Sequence, residues 1–185
     1  MGKLVYSISI SLDGFICDKA GNFDWAEPRE DLHRYINDLE SKSEILLYGR
    51  RMYEIMAAWE TMDDPGYPSY IRDYQRIWKG SRKIVFSRTL RECRTADTTL
   101  RLELLAPELG KLKRETIGNI SIGGAQLASR ALDLGFLDEI ALFVYPVLIG
   151  SGRKWIDAAF HKRLKALETK EFENDVVMVR YAVLE

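Results

Sequence analysis

The sequence has few cysteines and almost no net charge. Cysteine occurs only twice in 185 residues, at Cys17 and Cys93, and neither has the spacing of a metal-binding motif. Two cysteines are too few for a disulfide framework, so a reducing cytoplasm is the expected location. The 27 Lys and Arg residues nearly balance the 28 Asp and Glu residues, which gives a net charge of -1. That balance provides no basic field for a nucleic-acid backbone and argues against nucleic acid as the main partner.

Long apolar runs are also missing. The N-terminal segment, MGKLVYSISISLDG, contains a short apolar run that serines interrupt, which is too short for the core of a signal peptide. No apolar stretch reaches the roughly 20 residues that cross a bilayer. Repeats, linkers and low-complexity segments are absent, whereas 46% of the residues are hydrophobic. We therefore expect one domain over residues 1–185, with a continuous core and no membrane segment.

Strand and helix patterns alternate along the chain. Residues 4–11 alternate apolar and small polar side chains, and residues 30–41 carry an apolar stripe with helical spacing. Residues 139–149 are almost continuously apolar, which is typical of a strand buried on both faces. Two strands with a turn at residues 173–175 follow near the end. This order predicts an α/β fold with a mostly parallel sheet and antiparallel strands at its C-terminal end.

The same patterns predict the remaining elements. Strands are expected over residues 44–49, 83–87, 99–105 and 119–122, and helices over residues 70–79, 107–113 and 126–134, with another helix beginning at about residue 50. The last of these would present Met52, Ile55, Met56 and Trp59 on one face. Residues 12–25 form a long loop between turn signals, and long loops within compact domains usually carry function.

Two glycines, Gly123 and Gly124, separate a predicted strand from a predicted helix. The first turn of a helix offers unpaired N–H groups and a positive dipole end, which bind anions where no side chain blocks the approach. Gly49 occupies a similar junction before the helix near Arg50. Two such junctions would hold two parts of one dinucleotide. A tight turn or close packing of the helix explains the glycines equally well.

Basic residues concentrate between residues 72 and 94, where most of them are expected to form a solvated face. Ser87 and Arg88 follow a predicted strand, at the end of the sheet where open α/β proteins bind ligands. Arg50 and Arg51 follow another strand. An arginine with a hydroxyl beside it suits a terminal phosphate, which favours NADP over NAD.

Four motifs, in this order, resemble the dihydrofolate-reductase-like superfamily. They are YGRRMYE (residues 48–54), KIVFSRTL (83–90), ISIGGAQLASRAL (120–132) and GFLDEIALFVYPVLIGSGRKW (135–155). Within the superfamily they are most similar to the reductase domain of the bifunctional riboflavin-biosynthesis deaminase-reductase and its stand-alone relatives, which the opening SISLDGFI also resembles. The resemblance implies a three-layer α/β/α fold that binds NADPH.

The resemblance also implies which residues contact the cofactor. Gly49-Arg50 and Ser87-Arg88 would lie near the adenosine phosphate, and Gly123-Gly124 under the pyrophosphate. The full set of cofactor-binding candidates is Gly49, Arg50, Arg51, Ser87, Arg88, Gly123, Gly124 and Ala125. Relatives often have a threonine where this chain has Met52, which cannot donate a hydrogen bond to a phosphate. We therefore expect either weaker cofactor binding or binding through backbone donors and arginines alone.

Hydride transfer to an imine needs a proton donor near the acceptor nitrogen. In dihydrofolate reductases a tryptophan and a proline shortly precede an acid at the start of the first helix, and the stretch DWAEPREDL resembles that arrangement. Equal spacing selects Glu30, whereas the leucine that follows the acid selects Asp31 if one residue is inserted, and we favour Asp31. Capping of the helix explains either acid equally well.

The long loop supplies further candidates. Asp13 is a third catalytic candidate, and Asp24 and Trp25 are candidates for substrate binding, although turn formation also accounts for the aspartates. His33 and His161 are isolated from other metal-ligating residues, so no metal site is expected.

Together these features predict an NADPH-dependent reductase of a pterin-like or ribosyl-aminopyrimidine-like substrate, similar to 5-amino-6-(5-phosphoribosylamino)uracil reductases. A true dihydrofolate reductase is one alternative. A non-catalytic NADP-binding protein is another, because of Met52 and the unassigned acid. Relatives with the segment GSGRKW are commonly homodimers, so a homodimer is expected, although burial within one sheet also explains the apolar strand before it. The expected partner is a small heterocyclic substrate.

Overall fold

The computed structural model describes residues 1–157 and 161–184. Its strands are β1 (Leu4–Ser11), β2 (Phe15–Cys17), β3 (Ser43–Gly49), β4 (Arg82–Phe86), β5 (Thr98–Arg101), β6 (Asn119–Gly123), β7 (Glu139–Tyr145), β8 (Arg153–Lys154), β9 (Leu164–Glu171) and β10 (Val177–Val183). Its α-helices are α1 (Glu30–Glu40), α2 (Arg50–Met56), α3 (Ser69–Gly80), α4 (Ala106–Glu115) and α5 (Ala125–Asp133). The domain limit expected at residue 185 lies outside the described residues.

Eight strands form one sheet in the order β5-β4-β3-β6-β1-β7-β10-β9. From β5 to β7 each strand is parallel to its neighbours, whereas β10 is antiparallel to both β7 and β9. Helices cover both faces, because α4 and α5 pack on one apolar cluster and α1, α2 and α3 on two others. The predicted three-layer α/β/α fold, mostly parallel with antiparallel C-terminal strands, is confirmed.

The two apolar clusters under α1, α2 and α3 are separated by small side chains. One cluster joins α1 to β7 and β10 around Phe143 and Met178, and the other joins α2 and α3 to β3 and β4 around Trp78. Strands β1 and β6 lie between them, and their pairing of Val5 with Ser121 places Ser121 on the same face as Ser7 and Ser9. Because these side chains are small, they leave space between the sheet and the helices.

Several element boundaries differ from the sequence-based expectation. The helix after Gly49 ends at Met56. Of its predicted apolar face, Met52, Met56 and Trp59 pack on the cluster around Trp78, whereas Ile55 is 49% exposed and Tyr53, which was not predicted, is buried. The strand predicted to reach residue 149 ends at Tyr145, just before Pro146, which has no N–H to donate to a neighbouring strand. Strands β2 and β8 form a separate two-stranded antiparallel ribbon. The periodicity missed this ribbon because its strands have only three and two residues.

No helix in residues 1–157 and 161–184 is both long enough and apolar enough to cross a membrane.

Candidate functional site

A cavity of about 1390 Å³ occupies the space over the small side chains of the central strands. Ser7, Ser9 and Ser121 contribute to its sheet side, and residues of α1, α2 and α3 contribute to the opposite side. The ribbon of β2 and β8 supplies part of its rim. Pockets for one small molecule typically measure about 300–1,000 Å³. The cavity is therefore large enough for two ligands bound side by side.

The two adjacent glycines on the cavity wall lack side chains for different reasons. A Cβ on Gly123 would lie 2.8 Å from Tyr48 Cδ1 and 3.0 Å from Met52 Cγ, so this glycine makes room for packing. Gly124 has a φ of +105°, and a Cβ there would lie 3.8 Å from its nearest neighbour. Its backbone conformation, rather than lack of space, requires glycine. Both glycines line the cavity.

Helix α5 begins immediately after these glycines, and no side chain in residues 1–157 and 161–184 caps its first turn. Ala125 and Gln126 in that turn line the cavity. The first N–H groups of a helix have no intrahelical partners, so the start of α5 can bind an anionic group. The junction at Gly49 is adjacent, because its nitrogen lies 3.9 Å from the position of a Cβ on Gly124.

The arginines predicted to bind the cofactor occupy different places. Arg51 lines the cavity. Arg50 is exposed, with its Nη1 3.9 Å from Glu54 Oε1, and Arg88 forms an ion pair with Glu103. Neither Arg50 nor Arg88 is part of the cavity lining.

Ser87 is buried and closes a turn, because its hydroxyl oxygen accepts hydrogen bonds from the backbone N–H groups of Thr89 and Leu90. It lies outside the cavity lining. The structure therefore brings together Gly49, Arg51, Gly123, Gly124 and Ala125, and it places Arg50, Ser87 and Arg88 apart from them. The cofactor roles of all these residues stay predictions.

The three acids proposed as proton donors lie outside the cavity lining. Glu30 is exposed and pairs with Arg34. Asp31 accepts hydrogen bonds from the backbone N–H groups of Leu32 and Glu173, at 2.7 and 2.8 Å. These contacts hold the start of α1 rather than a ligand, and a catalytic role for either acid stays a prediction.

Asp13 joins the end of β1 to the loop after β7. It accepts hydrogen bonds from the Ser11 hydroxyl and from the backbone N–H groups of Ile149 and Gly150. The Ser11 hydroxyl contributes most to lowering the pKa of the Asp13 carboxyl below its ordinary value, and the two backbone donors add to it. A carboxylate that stays ionised in this way suits a structural link better than proton donation.

The substrate-binding candidates lie in a short helical turn, Asp24–Ala26, near the cavity. Asp24 is exposed, and Trp25 packs edge to face against Tyr145 with ring centroids 5.8 Å apart. Phe23 and Ala26, which flank them, line the cavity. Substrate contact by Asp24 or Trp25 stays a prediction.

A different carboxyl, that of the half-buried Glu40, lines the cavity. Its Oε1 accepts a hydrogen bond from the Ser121 hydroxyl at 3.1 Å. Burial raises the pKa of Glu40 to about 7, and the hydrogen bond from Ser121 only partly opposes that rise. Sequence reasoning missed Glu40, although its spacing of four residues from Ile36 places it on the buried face of α1.

Three other acids line the cavity, and each is either exposed to solvent or hydrogen-bonded within its own loop. Glu54 and Asp157 are exposed, and Asp18 accepts hydrogen bonds from the backbone and side chain of Asn22. Within residues 1–157 and 161–184, no group of three His, Cys, Asp or Glu residues is arranged to hold a metal ion.

Comparisons with known proteins agree with this architecture. The family model of the RibD C-terminal domain matches residues 2–178. The protein YyaP of Bacillus subtilis (strain 168), which is described as uncharacterized, is 28% identical over 183 residues, covering 97% of this chain and 94% of that protein.

Three solved structures share the fold at low sequence identity. A putative riboflavin biosynthesis protein from Shewanella sp. PV-4 has a TM-score of 0.78 and 19% identity, with 99% of each chain covered. The diaminohydroxyphosphoribosylaminopyrimidine deaminase/5-amino-6-(5-phosphoribosylamino)uracil reductase of Thermotoga maritima has a TM-score of 0.68 and 16% identity, covering 99% of this chain and 57% of that one. Dihydrofolate reductase from Enterococcus faecalis, complexed with NADP(H), has a TM-score of 0.66 and 13% identity, covering 100% of this chain and 98% of that one.

Proposed function

The chain belongs to the family of the RibD C-terminal domain, and from that membership we propose that it is an NADPH-dependent reductase of a pterin-like or ribosyl-aminopyrimidine-like heterocycle. The observation that carries the proposal is the uncapped start of α5 beside Gly124, on the wall of a cavity large enough for a dinucleotide and a substrate. The proposal is consistent with the reductase named in the Thermotoga structure and with the NADP(H) bound to the Enterococcus enzyme.

The residues at this wall fit a pyrophosphate group. Among the described residues no side chain caps the N–H groups at the start of α5, and the positive φ of Gly124 turns the backbone without a side chain in the approach. Arg51 supplies a positive charge on the lining. Met52 has no hydroxyl to donate, so backbone groups and arginine would provide the hydrogen bonds to the cofactor.

The bound cofactor would supply the hydride, and the chain's residues would position its acceptor. The aromatic side chains of Tyr48, Tyr74 and Phe143 line the cavity, together with apolar residues of α1 and α2. Such walls pack on planar rings and exclude water from the reacting atoms. A planar heterocycle is therefore the substrate class that best fits this surface.

A non-catalytic NADP-binding protein is the second candidate. The observation that favours it is the placement of Glu30, Asp31 and Asp13 outside the cavity lining, since each was a candidate proton donor. A true dihydrofolate reductase has less support, because the Enterococcus enzyme shares only the fold at 13% identity.

The test measures binding and turnover separately. We expect quenching of tryptophan fluorescence to show NADPH binding at least about tenfold tighter than NADH, because a charge-assisted hydrogen bond to the extra phosphate contributes about 1.5–3 kcal/mol. NADPH oxidation would then be followed at 340 nm with 5-amino-6-(5-phosphoribosylamino)uracil derivatives, pterins and dihydrofolate. Equal affinity for the two cofactors would contradict the choice of NADPH, and binding without any turnover would favour the non-catalytic candidate.

A further inference from the structure

We propose that Glu40 binds the heterocycle of the substrate, its carboxylate accepting hydrogen bonds from two adjacent N–H donors on a ring such as an aminopyrimidine. This inference rests on the proposed function, since it assigns the substrate end of the same cavity. Glu40 was not a candidate from the sequence, and its contacts separate it from the acids that were.

The position of Glu40 places its carboxyl deeper than the glycine turn. Ser121, which donates to Glu40, precedes Gly123 by two residues on β6, a distance of about 7 Å along the strand. Glu40 is the last residue of α1, and helical side chains lean toward the helix N-terminus, which directs this carboxyl back under α1. A group bound at the start of α5 therefore leaves the carboxyl of Glu40 free for a second ligand.

The carboxyl of Glu40 has unused hydrogen-bonding capacity. Ser121 donates to Oε1, and Oε2 accepts no hydrogen bond from any residue in the ranges 1–157 and 161–184. No ion pair in those ranges includes Glu40. A carboxylate can accept about four hydrogen bonds, and Ser121 occupies only one of these positions on the half-buried Glu40. Two N–H donors from a ligand in the cavity could therefore bind to the same carboxylate.

The surroundings of Glu40 favour a flat, largely apolar ligand. The facing titratable groups are the phenols of Tyr48 from β3 and Tyr74 from α3, and burial raises the pKa of each above its ordinary value. The charge of Glu40 adds to that rise for both phenols. From α2, the lining residues Met52, Ile55 and Met56 are uncharged, whereas Arg51 and Glu54 are charged and exposed. Among the described residues that line the cavity near Glu40, Glu40 is therefore the one whose pKa lies near neutral pH.

Ligand binding to the ionised carboxyl links affinity to pH. The pKa of about 7 leaves Glu40 about half ionised at neutral pH. A ligand with two N–H donors binds the ionised form, so its affinity rises with pH and levels off above the pKa. The affinity at pH 6 should be about tenfold weaker than at pH 8.

The first experiment measures binding of 2,6-diaminopyrimidin-4-one by calorimetry. Its ring N–H and 2-amino group are adjacent donors, and its 3-methyl derivative, which lacks the ring donor, is the matched ligand control. We expect Glu40→Gln to weaken binding of the unmethylated compound at pH 8 by tenfold or more. The same substitution should abolish the pH dependence of its affinity. The methylated compound should bind the wild-type protein at least tenfold more weakly than the unmethylated one.

Two further variants separate this role from a structural one. Glu54→Gln removes another carboxyl from the lining, one that is exposed, and should change the affinity by less than twofold. Ser121→Ala removes the donor that lowers the pKa of Glu40, so the midpoint of the pH dependence should move upward. If Glu40 merely tied α1 to β6, Ser121→Ala would lower stability without moving that midpoint.

Thermal stability without ligand provides a third readout. Because the pKa of Glu40 is raised on folding, ionisation of this group destabilises the folded protein as the pH rises from about 4.5 through 7. Glu40→Gln keeps an acceptor for Ser121 and removes the charge, so its Tm should exceed that of the wild-type protein at pH 8 and not at pH 5. A variant that binds less tightly while melting at a higher temperature has lost a ligand contact, not its fold.

The outcomes distinguish this inference from the proposed function. Unchanged affinity in Glu40→Gln, or no binding of the pyrimidinone to the wild-type protein, would overturn the assignment of Glu40, whatever the result with NADPH. Loss of pyrimidinone binding in Glu40→Gln supports it. If that loss occurs in a protein that neither binds nor oxidises NADPH, the reductase proposal fails and the binding role of Glu40 stands.

Discussion

Gly49 and Gly123 end neighbouring parallel strands, β3 and β6, and the effect of adding a methyl group differs between them. A Cβ on Gly49 would meet no atom of the described residues within 4 Å, whereas a Cβ on Gly123 would meet the ring of Tyr48 at 2.8 Å. An aromatic ring packed in a core cannot move aside without cost. Gly49 also has a φ of -76°, which any residue can adopt.

These environments make opposite predictions for two alanine substitutions. Gly123→Ala should reduce the free energy of unfolding by about 1–3 kcal/mol, because the added methyl group overpacks the core against Tyr48. Gly49→Ala should leave stability unchanged or slightly increased. Denaturant unfolding of both variants checks this, and equal stability of the two would show that Tyr48 relaxes freely.

The arginines allow a second comparison at the residue scale. Arg51 is on the cavity lining, whereas Arg88 is exposed and already paired with Glu103. If the cofactor phosphates are bound along the lining, Arg51→Ala should weaken NADPH binding by roughly tenfold or more. Arg88→Ala should change it by less than threefold. A larger effect at Arg88 would mean that the adenosine phosphate extends beyond the cavity to the end of β4.

At the scale of elements, a charge cluster around the buried carboxylate of Glu139 joins the parallel and antiparallel parts of the sheet. Glu139, the first residue of β7, is only 3% exposed and accepts hydrogen bonds from Lys3 at 2.7 Å and from Arg180 Nε on β10 at 2.8 Å. Burial raises the pKa of Glu139, but the hydrogen bonds from Lys3 and Arg180 outweigh it and leave the pKa below its ordinary value.

This cluster should make stability depend on pH in a defined window. Glu139→Gln should reduce the free energy of unfolding by about 1.5–3 kcal/mol at pH 7, because it weakens the charge-assisted hydrogen bonds that the buried carboxylate accepts from Lys3 and Arg180. Since folding lowers the pKa of Glu139, its stabilising effect is complete above the ordinary value of 4.5 and is lost as the pH falls below it. The difference between variant and wild-type protein should therefore shrink in acid.

Glu168 on β9 supplies the control for that comparison. It lies 3.9 Å from Arg180 and is more exposed than Glu139. Glu168→Gln should therefore reduce the free energy of unfolding by less than about 1 kcal/mol. Thermal denaturation from pH 3 to pH 8 measures both variants. A difference for Glu139→Gln that stays constant in acid would show that its effect comes from packing rather than charge.

At the scale of the whole molecule, the sheet ends in an exposed strand. Seven of the eight residues of β9 are exposed, including Leu164 and Leu167, and the outer edge of β9 has no partner strand among the described residues. Proteins usually cover such edges, often by assembly with a second copy. We therefore retain the expectation of a homodimer.

Sedimentation at micromolar concentration tests this expectation. The wild-type protein should have twice the mass of one chain, and Leu167→Lys should shift it toward the monomer if β9 lies in the interface, because burying an unpaired charge is costly. A control, Ile55→Lys, changes an exposed apolar residue on α2 and should leave the mass unchanged. A monomeric wild-type protein would contradict the dimer.

Local patterns in the sequence were sufficient for most elements of the fold. The period-two alternation of β1 and the apolar stripe of α1 gave their bounds within one residue, because each pattern reflects contact with one buried face. The short ribbon of β2 and β8 could not be predicted, since two or three residues are too few to show an alternation of apolar and polar side chains. On α2 the prediction was wrong only for Ile55, because the elements around the helix, rather than its own spacing, decide that Tyr53 is buried and Ile55 is not.

The sequence by itself determined the α/β architecture, the order of its elements and the glycine junction before α5, because all of these depend on residues that are close along the chain. Only the tertiary structure decided which acid lines the cavity. Glu40 and Ser121 are 81 residues apart, and their hydrogen bond exists because the sheet places β6 within reach of the last residue of α1. The raised pKa of Glu40 has the same origin, since burial is a property of the surrounding elements and not of the residue.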